Sequence, residues 1–110
     1  MPLDSTTFAP STLVEDLRAA REYIVTHGWC QNVSIDNGRA CAVGGIFAVV
    51  GGRMCTYEDT VRRQVAFDAL RKTLVGRGIS CPVADWNDAP ERTVEDVLDL
   101  YDATIRGLVE

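Results

Sequence analysis

The sequence predicts a mainly α-helical fold, a compact bundle of about four helices around a buried central helix, with a short β-hairpin as the one candidate strand pair. Three observations predict it. Apolar residues recur at three- and four-residue spacing near both ends of the chain. Three segments open on Thr with an acidic residue three positions later, the capping-box pattern of a helix start. A middle segment is apolar on every side. With 110 residues, 46% hydrophobic and 25% charged, the chain suits one domain with one core. Residues 1–110 are read as that single domain, with 1–11 as a flexible N-terminal arm. No fixed-period repeat or low-complexity run interrupts it.

The first helix is expected to open at Thr12 with Glu15, or at Ser11, and to carry Leu13, Leu17, Ala20 and Ile24 on one face. His27 suits the negative end of its dipole, and Gly28 the left-handed residue after it. Trp29 to Arg39 reads as a hairpin arm or a loop, because Val33 and Ile35 alternate with polar neighbours ahead of the Asp36-Asn37-Gly38 turn signal. Ala40 to Val50 is expected to be the buried central helix, its small Gly44-Gly45 pair admitting close neighbours. A third helix should begin at Thr56 with Asp59, bury Val61, Val65, Ala69, Leu70 and Leu74, and stop at Gly76-Arg77-Gly78. Ile79 to Pro90 reads as a loop anchored by Trp86. The last helix begins at Thr93 with Asp96, its stripe formed by Val94, Val97, Leu98, Tyr101, Ile105 and Leu108.

Composition bounds the function. Sixteen acidic residues against 11 basic ones leave a net charge of −5, a poor match for a phosphate backbone. Met1-Pro2-Leu3-Asp4 offers no basic leader and no long apolar run follows, so a cytoplasmic protein without a membrane span is expected. Cys30, Cys41, Cys55 and Cys81 form no C-x-x-C pair, and His27 is the only imidazole, which argues for buried thiols rather than zinc or disulfides. No metal and no cofactor is expected. Ten of the 11 basic residues are Arg, the mark of a GC-rich genome.

Three segments stand out together: His27-Gly28-Trp29-Cys30-Gln31, Gly38-Arg39-Ala40-Cys41-Ala42-Val43-Gly44-Gly45-Ile46, and Asp85-Trp86-Asn87-Asp88-Ala89-Pro90. In this order they resemble a family of small actinobacterial and actinobacteriophage proteins classed as a domain of unknown function. The likeness spans roughly residues 13 to 109, and the Trp-Asn-Asp loop is its most specific part. The typical member has a Gly-Ala pair where this chain has Gly44-Gly45. The resemblance implies an actinobacterial or phage source, in accord with the Arg bias, and it implies no activity.

Three function classes can be written on these residues. A small acidic domain without a nucleotide loop or metal cluster points first to protein–protein interaction. The partner would be another protein, a host protein if the chain is phage-encoded, or a second copy of itself. Leu3, Phe8 and Pro10, or Tyr57 and Phe67, are candidates for an exposed apolar patch. The alternative is a thiol-dependent acyl-transfer enzyme. Its nucleophile would be Cys41 at the start of the central helix, its base His27, oriented by Asn87 or Asp88. Trp86, Asn87 and Asp88 can also be read as a binding loop, or as a plug with Asx-turn bonding ahead of Pro90. Third is nucleic-acid binding through the basic segment 62–77, with Arg62, Arg63 and Arg71. That segment carries +4, against −6 over 85–110, and lacks a recognition motif.

Overall fold

The computed structural model describes residues 10–51 and 55–110, with side chains from Thr12 onward. Helix α1 runs from Pro10 to His27. It starts two residues before the expected Thr12 cap. Proline suits the first helical turn, where a missing N–H breaks no bond and φ is already helical. Thr12 and Glu15 therefore lie inside the helix, as do residues 10 and 11 of the expected arm; residues 1–9 of it lie outside the described residues. Val14, Leu17, Ala20 and Ile24 face the core, so Val14 takes the place expected of Leu13, which is only partly buried. Gly28, at φ +101°, ends the helix by donating its N–H to the Ile24 carbonyl at 2.8 Å.

The hairpin is present and small. Strands β1 (Ile35–Asp36) and β2 (Arg39–Ala40) pair antiparallel, Ile35 opposite Ala40. Asn37 and Gly38 form the two-residue turn with φ of +51° and +84°, the left-handed pair such a hairpin requires. Ala40 is captured a second time. Its N–H donates to the Gly28 carbonyl at 3.0 Å, and its carbonyl accepts from Cys30 at 3.2 Å.

That double engagement keeps Ala40 out of any helix, so the central helix α2 is Gly44–Val49 rather than Ala40–Val50. It still lies buried through Gly44, Gly45 and Ile46, with Val50 closing below. Helix α3 spans Tyr57–Gly76 and helix α5 Val94–Val109. Both carry complete capping boxes: Thr56 and Asp59 exchange bonds at 3.1 Å each way, and Thr93 and Asp96 at 3.0 and 3.2 Å. α3 buries Ala66, Leu70 and Leu74, while Val61 and Val65 stay half-buried. α5 buries Val97, Leu100, Tyr101, Thr104 and Ile105.

The stretch expected to be a loop contains a fifth helix, α4 (Val83–Asn87), between Pro82 and Pro90. Val83 and Trp86, three residues apart, turn the same face inward. The fold is thus a mainly α-helical globule in which α1 packs against α2, α3 and α5, α3 also packs against α2, α4 and α5, and the hairpin lies against α1 and α2. No described helix is long and apolar enough to cross a membrane.

Candidate functional site

The three segments that stood out in the sequence meet in one hydrogen-bonded cluster, and Asn87 is its centre. Asn87 is fully buried on the last turn of α4. Its amide oxygen accepts the Trp29 indole N–H at 2.7 Å and the Ala42 backbone N–H at 2.9 Å. Its amide nitrogen donates to the Cys30 carbonyl at 3.2 Å and to Asp88 Oδ1 at 3.0 Å. Two acceptor sites and two donors are all used, the full capacity of a side-chain amide. Gln31 returns the grip from the other side, donating to the Asn87 and Ala89 carbonyls at 3.0 and 2.9 Å. Asp88 Oδ1 also accepts the Asn32 N–H at 2.8 Å. The Ala42 carbonyl takes the hydroxyl of the buried Tyr101.

Asn87 and Asp88 therefore bond backbone, as a structural role requires, but that backbone is distant in sequence rather than part of a local Asx-turn. Trp86 plugs the core from α4, not from a loop, beneath the Arg92 guanidinium 4.2 Å from its ring centroid. Trp29 and Gln31 were not singled out as site residues. The signal for them was present: an indole donor and a side-chain amide on one segment, facing an Asn-Asp pair on another.

The cluster shapes a surface. Held by Asn87, Trp29 forms a wall of an apolar groove of about 400 Å³, completed by Ile24, Val25 and Gly28 at the end of α1 and by Val94 and Leu98 on α5. Val25 is 52% exposed there. A second groove of about 580 Å³ lies between α3 and α5, beside the early turns of α1, and includes Leu13, Val65, Ala69 and Leu108 with Lys72 and Arg71.

The thiol candidates are differently placed. Cys41 is 3% exposed and precedes the six-residue α2 instead of lying in its first turn. Its sulfur accepts the Gly44 N–H at 3.3 Å. Burial is the main cause that pushes the Cys41 pKa up, and Asp88 adds to it by repelling the thiolate. His27 is exposed, stacks on Tyr23 with ring centroids 4.0 Å apart, and places Nδ1 at 3.2 Å from the Tyr23 carbonyl. The interactions of His27 are with Tyr23, and none joins it to Cys41 among the described residues. Cys30 is buried too, Cys81 is half-buried, and Cys55 is exposed, against the expectation of four buried thiols. No disulfide links them, and among the described residues no three His, Cys, Asp or Glu side chains converge to hold a metal.

The basic segment is largely committed to the fold. Arg62 makes two bonds to the Asp16 carboxylate at 2.6 and 3.2 Å. Arg63 donates to the Val50 and Phe47 carbonyls and lies 4.9 Å over the Phe47 ring. Arg71 reaches the Ser80 carbonyl at 3.1 Å and Arg77 reaches Asp99 at 3.0 Å. Of the apolar-patch candidates, Tyr57 is exposed, whereas Phe67 packs on Phe47 with centroids 5.3 Å apart. Pro10 opens α1; Leu3 and Phe8 lie outside the described residues.

No curated protein and no solved structure matches the chain. A family model does, over residues 9–107, which takes in α1 through most of α5 and all three segments of the Asn87 cluster. The chain belongs to that family, described as a family of unknown function (DUF6197).

Proposed function

We propose that this protein acts by binding another protein, as a small cytoplasmic accessory protein of an actinobacterium or its phage that needs no cofactor. The observation that carries the reading is the Trp29-walled groove. A network with no spare hydrogen-bonding capacity at Asn87 presents an apolar recess to solvent, which is the arrangement of a rigid docking surface. The Arg bias and the family resemblance support the source, and the acidic balance supports a protein partner over nucleic acid.

The acyl-transfer reading needs Cys41 as a thiolate near His27, and the burial of one and the Tyr23 contacts of the other weigh against it. The test is affinity purification of the tagged protein from an actinobacterial lysate, followed by reconstitution from purified components. A stoichiometric partner that survives moderate salt supports the reading. A dimer by light scattering with no other partner narrows it to self-association. If the protein comes down alone as a monomer and Cys41→Ala abolishes its biological effect, the thiol enzyme replaces it.

A further inference from the structure

We infer that the groove between α1 and α5 is the docking site, and that its occupant is a basic segment of the partner protein inserting one apolar anchor; the inference rests on the protein-binding reading above. The lining carries no charged side chain: Ile24, Val25, Gly28, Trp29, Val94 and Leu98 offer mostly apolar surface, and the single polar atom of the Trp29 side chain is turned to Asn87. An apolar anchor side chain fits such a recess and gains from leaving water.

The surrounding charges specify the rest of the occupant. Arg21 is tied to Asp102 at 2.7 Å, Arg39 beside Gly28 to Asp36 at 2.7 Å, and Arg92 to Asp96 at 3.8 Å. Asp99 is held by Arg77. Among the described residues within one helical turn of the lining, the charged side chains outside such pairs are Glu22, Glu91 and Glu95, all exposed. A recess whose lining helix turns carry exposed carboxylates outside ion pairs attracts ammonium and guanidinium groups and repels acidic segments, and the net charge of −5 acts in the same direction. The chemistry recognised is thus a large apolar side chain flanked by Lys or Arg.

The test titrates the isotope-labelled full chain with two synthetic helical peptides of identical spacing. One carries Leu at every third or fourth position and Lys elsewhere; its twin has Glu in place of each Lys. The Lys peptide is expected to shift the Trp29 indole signal and the amides of Val25, Val94 and Leu98, and to bind more weakly as salt rises. Val25→Lys, at a half-exposed helix position that leaves the core intact, is expected to lower its affinity about tenfold. The double variant Glu22→Gln/Glu95→Gln, which leaves the lining untouched, is expected to lower it severalfold.

Equal binding of the Glu twin overturns the basic occupant. Shifts at other residues, or none with either peptide, overturn the groove as its site. These failures remain separable from failure of the wider reading. A lysate partner retained equally by the wild type and by Val25→Lys keeps protein binding and moves it off this groove. Absence of any partner and of self-association removes protein binding itself.

Discussion

Trp29 donates its indole N–H to the side-chain oxygen of Asn87 at 2.7 Å, across 58 positions of sequence. The same oxygen holds Ala42, so one buried atom ties the end of α1, the entry to α2 and α4 together. Asn87→Ala leaves the Trp29 and Ala42 donors and the Cys30 carbonyl without partners. Each buried orphan costs about 1–3 kcal/mol, so a loss of about 3–5 kcal/mol is expected in denaturant unfolding. Asn87→Leu, which keeps the volume, is expected to lose nearly as much. A loss below about 1 kcal/mol for both would show that the cluster does not hold the fold.

Arg62 and Arg71 sit on the same helix and should respond very differently to truncation. Asp16 is nearly buried, and Arg62 supplies its paired bonds from α3. Arg62→Ala strands that carboxylate, with an expected loss of about 2–3 kcal/mol, below the roughly 3–5 kcal/mol of a fully dry pair. Arg71→Ala removes one exposed bond to Ser80 and should change stability by less than about 0.5 kcal/mol. Thermal melts of the two variants check this. The triple variant Arg62→Ala/Arg63→Ala/Arg71→Ala should leave retention on DNA unchanged from wild type.

The acid limb of stability should show the α3 cap. The Thr56 backbone N–H holds the Asp59 carboxyl below its usual pKa, with help from the Thr56 hydroxyl and from Arg62 and Arg63. A depressed folded pKa gives stability that is present above the unfolded value of 3.8 and lost as pH falls through the folded one. Asp59→Asn is expected to flatten the loss of stability between pH 4 and the acid transition. Thr93→Ala, which removes the equivalent cap on α5, should cost about 1 kcal/mol at neutral pH. Urea midpoints across the acid range decide both.

The alkaline limb follows from the opposite sign. Burial raises the pKa of Cys30, Cys41 and Tyr101 in the folded chain. Their contribution is therefore intact below the unfolded thiol value of 9.0 and is lost as pH rises through the folded values, where the unfolded chain ionises first. Stability should fall above pH 9, and Cys41→Ala should reduce that slope. Under native conditions a small thiol reagent should modify exposed Cys55 first and half-buried Cys81 next. Reaction of Cys41 ahead of Cys55 would revive the thiol enzyme.

What could be read from the sequence was local chemistry. The Thr56–Asp59 and Thr93–Asp96 boxes and the Asn37-Gly38 turn each depend on residues within three positions, and all formed. The length of α2 was hidden, because Ala40 is held by Gly28 and Cys30, which no periodicity of its own segment reveals. Five residues of α4 contain less than two turns of pattern. For the site, Asn87 stood out as a binding-loop or Asx-turn residue, because the Trp29, Cys30 and Ala42 groups that it bonds lie 45 to 58 positions away. Arg62 read as a free cation because Asp16, 46 positions earlier, is brought to it only by the packing of α1 on α3.

The adjacent glycines of α2 should separate sharply under the same substitution. A Cβ on Gly44 would sit 1.9 Å from the Ser34 carbonyl oxygen, inside backbone that also accepts the Cys41 N–H. No rotamer relieves that overlap, so Gly44→Ala must push apart the hairpin and α2, and a loss of about 3 kcal/mol or more is expected. At Gly45 a Cβ would meet the Ala20 carbonyl oxygen at 3.0 Å and the Ile24 side chain at 3.1 and 3.2 Å. Those gaps need shifts of a few tenths of an ångström, and the helix gains about 1 kcal/mol when Gly becomes Ala. Gly45→Ala should therefore change stability by no more than about 1 kcal/mol in either direction. Thermal melts of the two single variants test it, and a Gly44→Ala protein as stable as the wild type would mean that the hairpin does not press on α2 as the structure describes.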